Sequence, residues 1–242
     1  MTRLKISRAI AVIVAALSAL VIVSGAALAD TTYVPSTDNN QKVYLSQSCH
    51  DAGTGSCHTN YGCDNMSENY RSDVLSKQAL GDGRILEDGL LDRQYIVRVG
   101  NGLMRENINS SNSWNAKMHI PLHSNAKNAQ CDSPVGSDAY GGTMTFHASS
   151  NGQQLAAQLK YTMQNVSPGT NDQVSSRTDL DELTDTGAVA AYLESEYHTW
   201  NKGVDFLRAS VDWAWRIGYA VDRCRGYPRS GQGTTGTKQC SW

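Results

Sequence analysis

The chain has 242 residues, of which 40% are hydrophobic and 18% charged, with a formal net charge of −2. That length suits one domain with a substantial core. Its basic residues are scattered rather than gathered into a stripe that would follow a phosphate backbone, which argues against a nucleic-acid partner.

Met1 to Arg8 carries Arg3, Lys5 and Arg8, and an uncharged run from Ala9 to Leu28 leads into Ala27-Leu28-Ala29. This pattern predicts a secretory signal peptide over 1–29, cut between Ala29 and Asp30. A retained membrane anchor is the competing reading, because the run approaches the roughly 20 residues that span a bilayer. The Ala-x-Ala end and the polar stretch Thr31 to Gln41 favour removal. Residues 30–41 then read as an extended lead-in, 42–223 as the domain and 224–242 as a Gly/Ser/Thr-rich tail.

Lys42 to Ser46 reads as a short buried strand. Glu68 to Gly81 reads as a helix, with Tyr70, Val74, Leu75 and Ala79 on one side. Gln94 to Val99 is a strand that ends in the turn Gly100-Asn101-Gly102. Met118 to Leu122 is a strand in which Pro121 argues against a helix. Gly142 to His147 is a further strand. Ser150-Asn151-Gly152-Gln153 has the form of a capping box that opens a helix with Leu155, Ala156, Leu159 and Met163 on one face. Ala188 to Leu193 is a strand, and Phe206 to Val221 a closing amphipathic helix. Strands alternating with helices predict a single α/β domain, a mostly parallel twisted sheet flanked by helices on both faces. Sites in such sheets gather at the carboxyl ends of the strands. His50, His123 and Glu194 all lie at or just beyond such ends.

The six cysteines (49, 57, 63, 131, 224 and 240) all follow residue 29. An even number in an exported chain predicts disulfides rather than thiols. Cys57 and Cys63 are placed to close a small loop, and Cys224 and Cys240 to tie down the tail, which leaves Cys49 and Cys131. No tight C-x-x-C pair points to cysteine ligation of a metal.

Each candidate site residue also has a plain reading. Glu68 fits a capping box begun by Asn65. His123 fits a polar strand end. His119 and His123 stand four residues apart, roughly 13 Å along a strand at about 3.3 Å per residue, so one metal ion cannot take both. His119 is then a structural residue behind the site. Glu196 lies two residues beyond Glu194 on the same strand face.

Taken in order, Leu45-Ser46-Gln47-Ser48-Cys49-His50, Glu68, His123-Ser124-Asn125-Ala126 and Leu193-Glu194 resemble the zinc-dependent N-acetylmuramoyl-L-alanine amidases of the Amidase_3 type. The resemblance runs over about residues 42 to 222, and its sharpest match is His-x-Asn-Ala. It implies Zn²⁺ held by His50, Glu68 and His123, Glu194 as catalytic base, and Asn125 at the substrate. His119 and Glu196 stand behind these, with Glu196 raising the pKa of Glu194 by like-charge repulsion. The first motif departs from the family's Asp-Pro-Gly-His-Gly-Gly. A strict column count puts Cys49 where the family's His stands, and Cys49 or His58 is the alternative to His50.

The resemblance further implies hydrolysis of the amide between N-acetylmuramic acid and L-alanine in peptidoglycan. The expected protein is a secreted, wall-located monomer without stable membrane association after signal cleavage. A zinc peptidase acting on a stem-peptide bond and a non-catalytic peptidoglycan-binding protein on a degenerate amidase fold are the competing classes.

Overall fold

The structure, a computed structural model, describes residues 30–47, 50–51, 57–58, 60–68, 89–100, 102–127, 131, 140–208, 213–226 and 238–242. The predicted signal peptide, the predicted helix beyond Glu68 and most of the predicted tail lie outside these. Strand β2 (Lys42–Gln47) is flanked by β5 (Ile96–Gly100) and β6 (Met118–Asn125), both parallel to it. Strand β6 also pairs in parallel with β9 (Val189–Ala190) and with β10 (Tyr192–Tyr197). Antiparallel pairing enters toward the edges. There β1 (Thr31–Tyr33) joins β5, and β7 (Met144–His147) joins β10 and carries β8 (Gln173–Ser176) in parallel. The main sheet is thus an eight-stranded, mixed but mostly parallel sheet of order β1-β5-β2-β6-β10-β7-β8, with β9 beside β6. A separate ladder pairs β3 (His50–Asp51) with β4 (Cys57–His58), setting His50 opposite His58. Among the described residues no helix is long and apolar enough to cross a membrane.

Alternation along the central strands separates two faces. Val43 and Leu45, Val97 and Val99, and Met118, Ile120 and Leu122 are buried on one of them together with Leu193. Against it pack α2 (Ser150–Met163), through Leu155, Ala156, Leu159 and Met163, and α5 (Trp213–Arg225), through Ile217, Ala220 and Val221. This is the apolar core. The opposite face of the same strands carries Tyr44, Ser46, His119 and His123. It is met by α1 (Met104–Ser113), whose buried Asn107 donates to Ser46 Oγ at 3.0 Å, and by the short α3 (Asp181–Thr184). Helices therefore cover both faces, one apolar and one polar. The polar face holds the candidate site.

Several boundaries differ from the sequence reading. The lead-in includes edge strand β1. The helix α1 escapes periodicity because it is built largely of Asn and Ser, which favour caps and turns over helix interiors. The cap of α2 is Ser149, whose hydroxyl accepts from Gly152 N at 3.0 Å, one residue before the predicted Ser150. Strand β6 runs on through His123 to Asn125 because β10 continues beside it. The predicted closing helix, Phe206 to Val221, falls on α4 (Asn201–Arg208) and α5, with residues 209–212 outside the described ones. Buried Asp222 fastens α5 to the approach to β5, pairing with Arg93 and accepting from Tyr95 Oη at 2.8 Å.

The disulfides are partly as expected. Cys224 pairs with Cys240, which brings the last residues onto the core, with Cys240 buried and Trp242 packed beside it. Cys63, however, pairs with Cys131 and not with Cys57, so Cys131 is not the partner of Cys49. The reason is spatial. Residues 60–68 lie against the carboxyl end of β10, where Cys63 N donates to His198 O at 2.9 Å, and this is also where the segment after Asn125 passes. Gly62 is needed there, since a Cβ would fall 1.9 Å from His198 O. The bridge spans 68 residues of sequence. Closing so long a loop is worth about 4 kcal/mol in the chain-entropy picture. The double variant Cys63→Ser/Cys131→Ser should lose roughly 2–4 kcal/mol in urea unfolding. A loss below about 0.5 kcal/mol would show that the bridge does not hold this end of the sheet together.

Candidate active site

The site is built on the carboxyl-terminal half of β6. His123 is 3% exposed, and the parallel ladder sets it directly beside Glu194 of β10. Residues paired across a parallel ladder project to the same face, so the imidazole and the carboxylate share one floor. Tyr192, two residues before Glu194 on that face, stacks on the His123 ring at 4.3 Å between centroids and 26° between planes. The ring is held by a flat apolar neighbour on one side and by carboxylates at its edge.

Glu68 arrives from elsewhere. The chain turns through the 3-10 helix Cys63–Asn65, closed by Met66 N to Cys63 O, and becomes helical at Glu68. The backbone N–H of Glu68 donates to Asn60 O at 3.1 Å, and Asn60 Nδ2 donates to Glu68 Oε2 at 2.9 Å. The other oxygen, Oε1, stands 3.0 Å from His123 Nδ1. Glu68 is 2% exposed. A buried carboxylate clamped to a buried imidazole is costly to assemble, and such contacts gather at functional sites. Both carboxylate oxygens are turned to partners, Asn60 and His123, that a capping box begun by Asn65 does not require.

Glu194 is the least compensated group. Its Oε2 is buried without a hydrogen-bond partner among the described residues. Burial raises its pKa well above the ordinary carboxylate range, the Glu68 charge raises it further, and Arg177 partly offsets both. The like charge that matters is thus Glu68. Glu196, given that part in the sequence reading, is turned to other work. It accepts from Ser167 Oγ at 2.6 Å and from the backbone N–H groups of Gly142, Tyr197 and Gly169 at 2.8, 2.9 and 3.0 Å. It pins the loops that border β7 and β10, and the register between β10 and β6 shifts between Glu194 and Tyr197.

Asn125 ends β6 at the rim. Its side chain is partly exposed, with Nδ2 at 3.1 Å from Met144 Sδ and Oδ1 accepting from Ala126 N at 2.8 Å. Tyr197 and Tyr140 stand nearby, with Lys127 over both rings. His119 lies deeper on the same face, stacked on Tyr44, with Nε2 at 3.2 Å from Glu182 Oε1. Glu182 itself was not singled out in the sequence. Asp-Leu-Asp-Glu-Leu reads as an acidic surface turn, and only the flanking Leu180 and Leu183 hint that it folds inward.

Glu68 and His123 are a carboxylate and an imidazole already in contact, the donor types that suit Zn²⁺. No group of three His, Cys, Asp or Glu side chains able to hold a metal is complete among the described residues. The sequence-predicted third ligand, His50, has its backbone in β3, opposite the alternative His58; the side chains of both, and all of Cys49, lie outside the described residues.

The displaced titration of Glu194 has a direct consequence. The unfolded chain gives up this proton near the usual Glu value of about 4.3, whereas the fold retains it to higher pH. The group's contribution is therefore present below the unfolded pKa and is lost as pH rises through the folded one. In chelator-treated protein, Glu194→Gln should be the more stable form at pH 8 by about 1 kcal/mol or more. The difference should shrink toward pH 4. Urea melts at the two pH values test this, and parallel behaviour of the two proteins would contradict it.

No family model and no curated protein matches the sequence. Solved structures do. The N-acetylmuramoyl-L-alanine amidase AmiC2 of Nostoc punctiforme is similar with a TM-score of 0.58 at 12% identity, covering 77% of this chain and 95% of that one. Ami1, the N-acetylmuramyl-L-alanine amidase from Mycobacterium smegmatis, gives 0.59 at 12% identity, with 77% and 97% covered. The catalytic domain of CwlV, an N-acetylmuramoyl-L-alanine amidase from Bacillus (Paenibacillus) polymyxa var. colistinus, gives 0.55 at 14%, with 75% and 93% covered. At these identities the likeness concerns architecture: the chain has the fold of N-acetylmuramoyl-L-alanine amidase catalytic domains.

Proposed function

We propose that this protein is an exported zinc hydrolase that cleaves the amide bond between N-acetylmuramic acid and L-alanine in peptidoglycan, working as a monomer at the cell wall. The observation that carries the reading is the convergence of Glu68, His123 and Glu194 on the polar face of the paired strands β6 and β10, within a fold shared with amidases of that specificity. The signal-peptide pattern of residues 1–29 supports export.

In this reading Glu68 and His123 are two ligands and His50 the third, with Cys49 or His58 as its alternative. When bound, zinc polarises the scissile carbonyl and lowers the pKa of water from about 15.7 toward 7. The chain's own groups do the rest. The Asn60 amide and the His123 ring hold the Glu68 carboxylate in one orientation. Tyr192 fixes the plane of His123. Its own phenol stays protonated because burial, and then the charges of Glu194, Glu182 and Glu68, raise its pKa. Glu194 accepts the proton of the attacking water and passes it to the departing L-alanine nitrogen, a task suited to a carboxylate whose proton affinity is raised. Asn125, partly exposed at the end of β6, is the residue we assign to a substrate amide, and the aromatic rim around it to sugar or peptide.

Two variants separate the roles. His123→Ala should lose most of its zinc in elemental analysis of dialysed protein. Glu194→Gln should keep zinc and lose roughly 10²–10⁴-fold in the rate of wall hydrolysis, with chelator abolishing activity of the wild type. Full zinc occupancy in the first variant, or near-wild-type hydrolysis by the second, would overturn the assignment.

A further inference from the structure

The rim beyond Glu194 depends on a break in register. His123 pairs with Glu194, and Asn125, two residues on, pairs with Tyr197, three residues on. Without the extra residue in β10, strict alternation would turn the Tyr197 side chain away from the site. The irregularity turns it to the face of His123 and Glu194, a recurrent use of bulges beside active sites. Along the strand Tyr197 lies no more than roughly 10 Å from Glu194, at about 3.3 Å per residue. Burial first, and then the charges of Glu194 and Glu196, push its phenol up to about 12. The ring is therefore neutral and lies within the field of the site carboxylate.

Over this ring stands a cation. Lys127 Nζ is 4.7 Å from the centroid of Tyr197 and 5.4 Å from that of Tyr140. Its backbone is fixed, because Lys127 N donates to Thr199 Oγ1 at 3.0 Å. Nζ donates to Tyr140 O at 3.3 Å, which uses one of the three N–H bonds of an ammonium. Lys127 is exposed, and among the described residues its ammonium faces no carboxylate. Glu196, next to Tyr197, is already taken up by Ser167 and three backbone N–H groups.

The surroundings make this cation informative. Glu68, Glu182 and Glu194 crowd the same face of the sheet, and their field disfavours any anionic group brought to it. In the amidase reading, the sugar side of the scissile bond brings no anion, since its lactyl carboxyl is itself the amide. The peptide side brings one wherever an acidic residue follows L-alanine. Two extended residues span roughly 7 Å, and a charge-assisted hydrogen bond adds about 2.8 Å. That reach matches the separation of Glu194 from the ring beneath Lys127.

We propose that Lys127 is a specificity-determining residue: its ammonium, held on the Tyr140 and Tyr197 rings, takes the free carboxylate of the stem-peptide residue next to L-alanine. The identity of the ligand rests on the amidase reading, whereas the preference of this rim for a carboxylate over an amide can be measured without catalysis.

The test uses two synthetic compounds. One is N-acetylmuramoyl-L-alanyl-D-glutamate with its γ-carboxyl amidated, and the other has its α-carboxyl amidated as well. They differ in one carboxylate. At about 0.01 M ionic strength, where the Debye length is about 30 Å, wild-type KM should be about 5-fold lower for the carboxylate form. The difference should fall below about 2-fold at about 1 M salt, where that length is about 3 Å. Lys127→Met keeps an apolar stem over the rings and should erase the preference by raising KM for the carboxylate form. Lys127→Arg should restore it. An unchanged preference in Lys127→Met, an equal rise of both KM values, or no preference in the wild type at low salt would overturn the proposal. If neither compound is cut, the amidase reading fails. Calorimetric binding of the same two compounds to wild type and Lys127→Met then decides the role of Lys127 by the same comparison.

Discussion

Three glutamates, Glu68, Glu182 and Glu194, surround one imidazole in a region nearly stripped of water. Carboxylates brought together out of solvent repel one another, and each prefers its neutral form. The three respond differently. Burial pushes Glu182 up, but hydrogen bonding and charge from His119, the charge of His123 and the Ser46 hydroxyl hold it lowered overall. Glu68 is tied to Asn60 and His123. Glu194, offset only by Arg177, is driven upward. One carboxylate kept ionised and another kept ready to carry a proton form the division of labour that hydrolysis requires. A divalent cation beside Glu68 and His123 is the complement such a cluster calls for, and this supports the zinc reading.

The architecture serves that cluster. The parallel pairing of β6 with β10 brings His123 and Glu194 side by side, and the polar face they share is closed by α1 and α3 and not by the core helices. The apolar work is done on the other face, where α2 and α5 bury most of the aliphatic side chains. Cys63–Cys131 and the backbone bond from Cys63 to His198 hold the segment that carries Glu68 against the end of β10. Glu196 secures the loops on the far side through four donors.

The core was legible in the sequence because burial on a regular face leaves a period: Val43 and Leu45, Met118 to Leu122, and the Leu155–Leu159–Met163 stripe all announce their elements. The resemblance singled out Glu68, His123 and Glu194 together, and the fold brings them together, although His123 and Glu194 lie within β6 and β10 and not at the strand ends the sequence suggested. Glu182 was not legible, since nothing local distinguishes an acidic turn that faces water from one folded onto a sheet 63 residues away at His119. The helix α1 was hidden by its Asn- and Ser-rich composition, which tertiary contacts override. The pairing of Cys63 with Cys131 depends on which loops meet at the sheet's end, a property of the assembled fold.

The account stands or falls on which bond is cut. Purified peptidoglycan digested to completion by the mature protein should release new amino groups that, once labelled and hydrolysed, prove to be N-terminal L-alanine, with no new reducing sugar ends. New amino groups on any other residue of the stem peptide, or binding to the wall with no new amino groups at all, would contradict it.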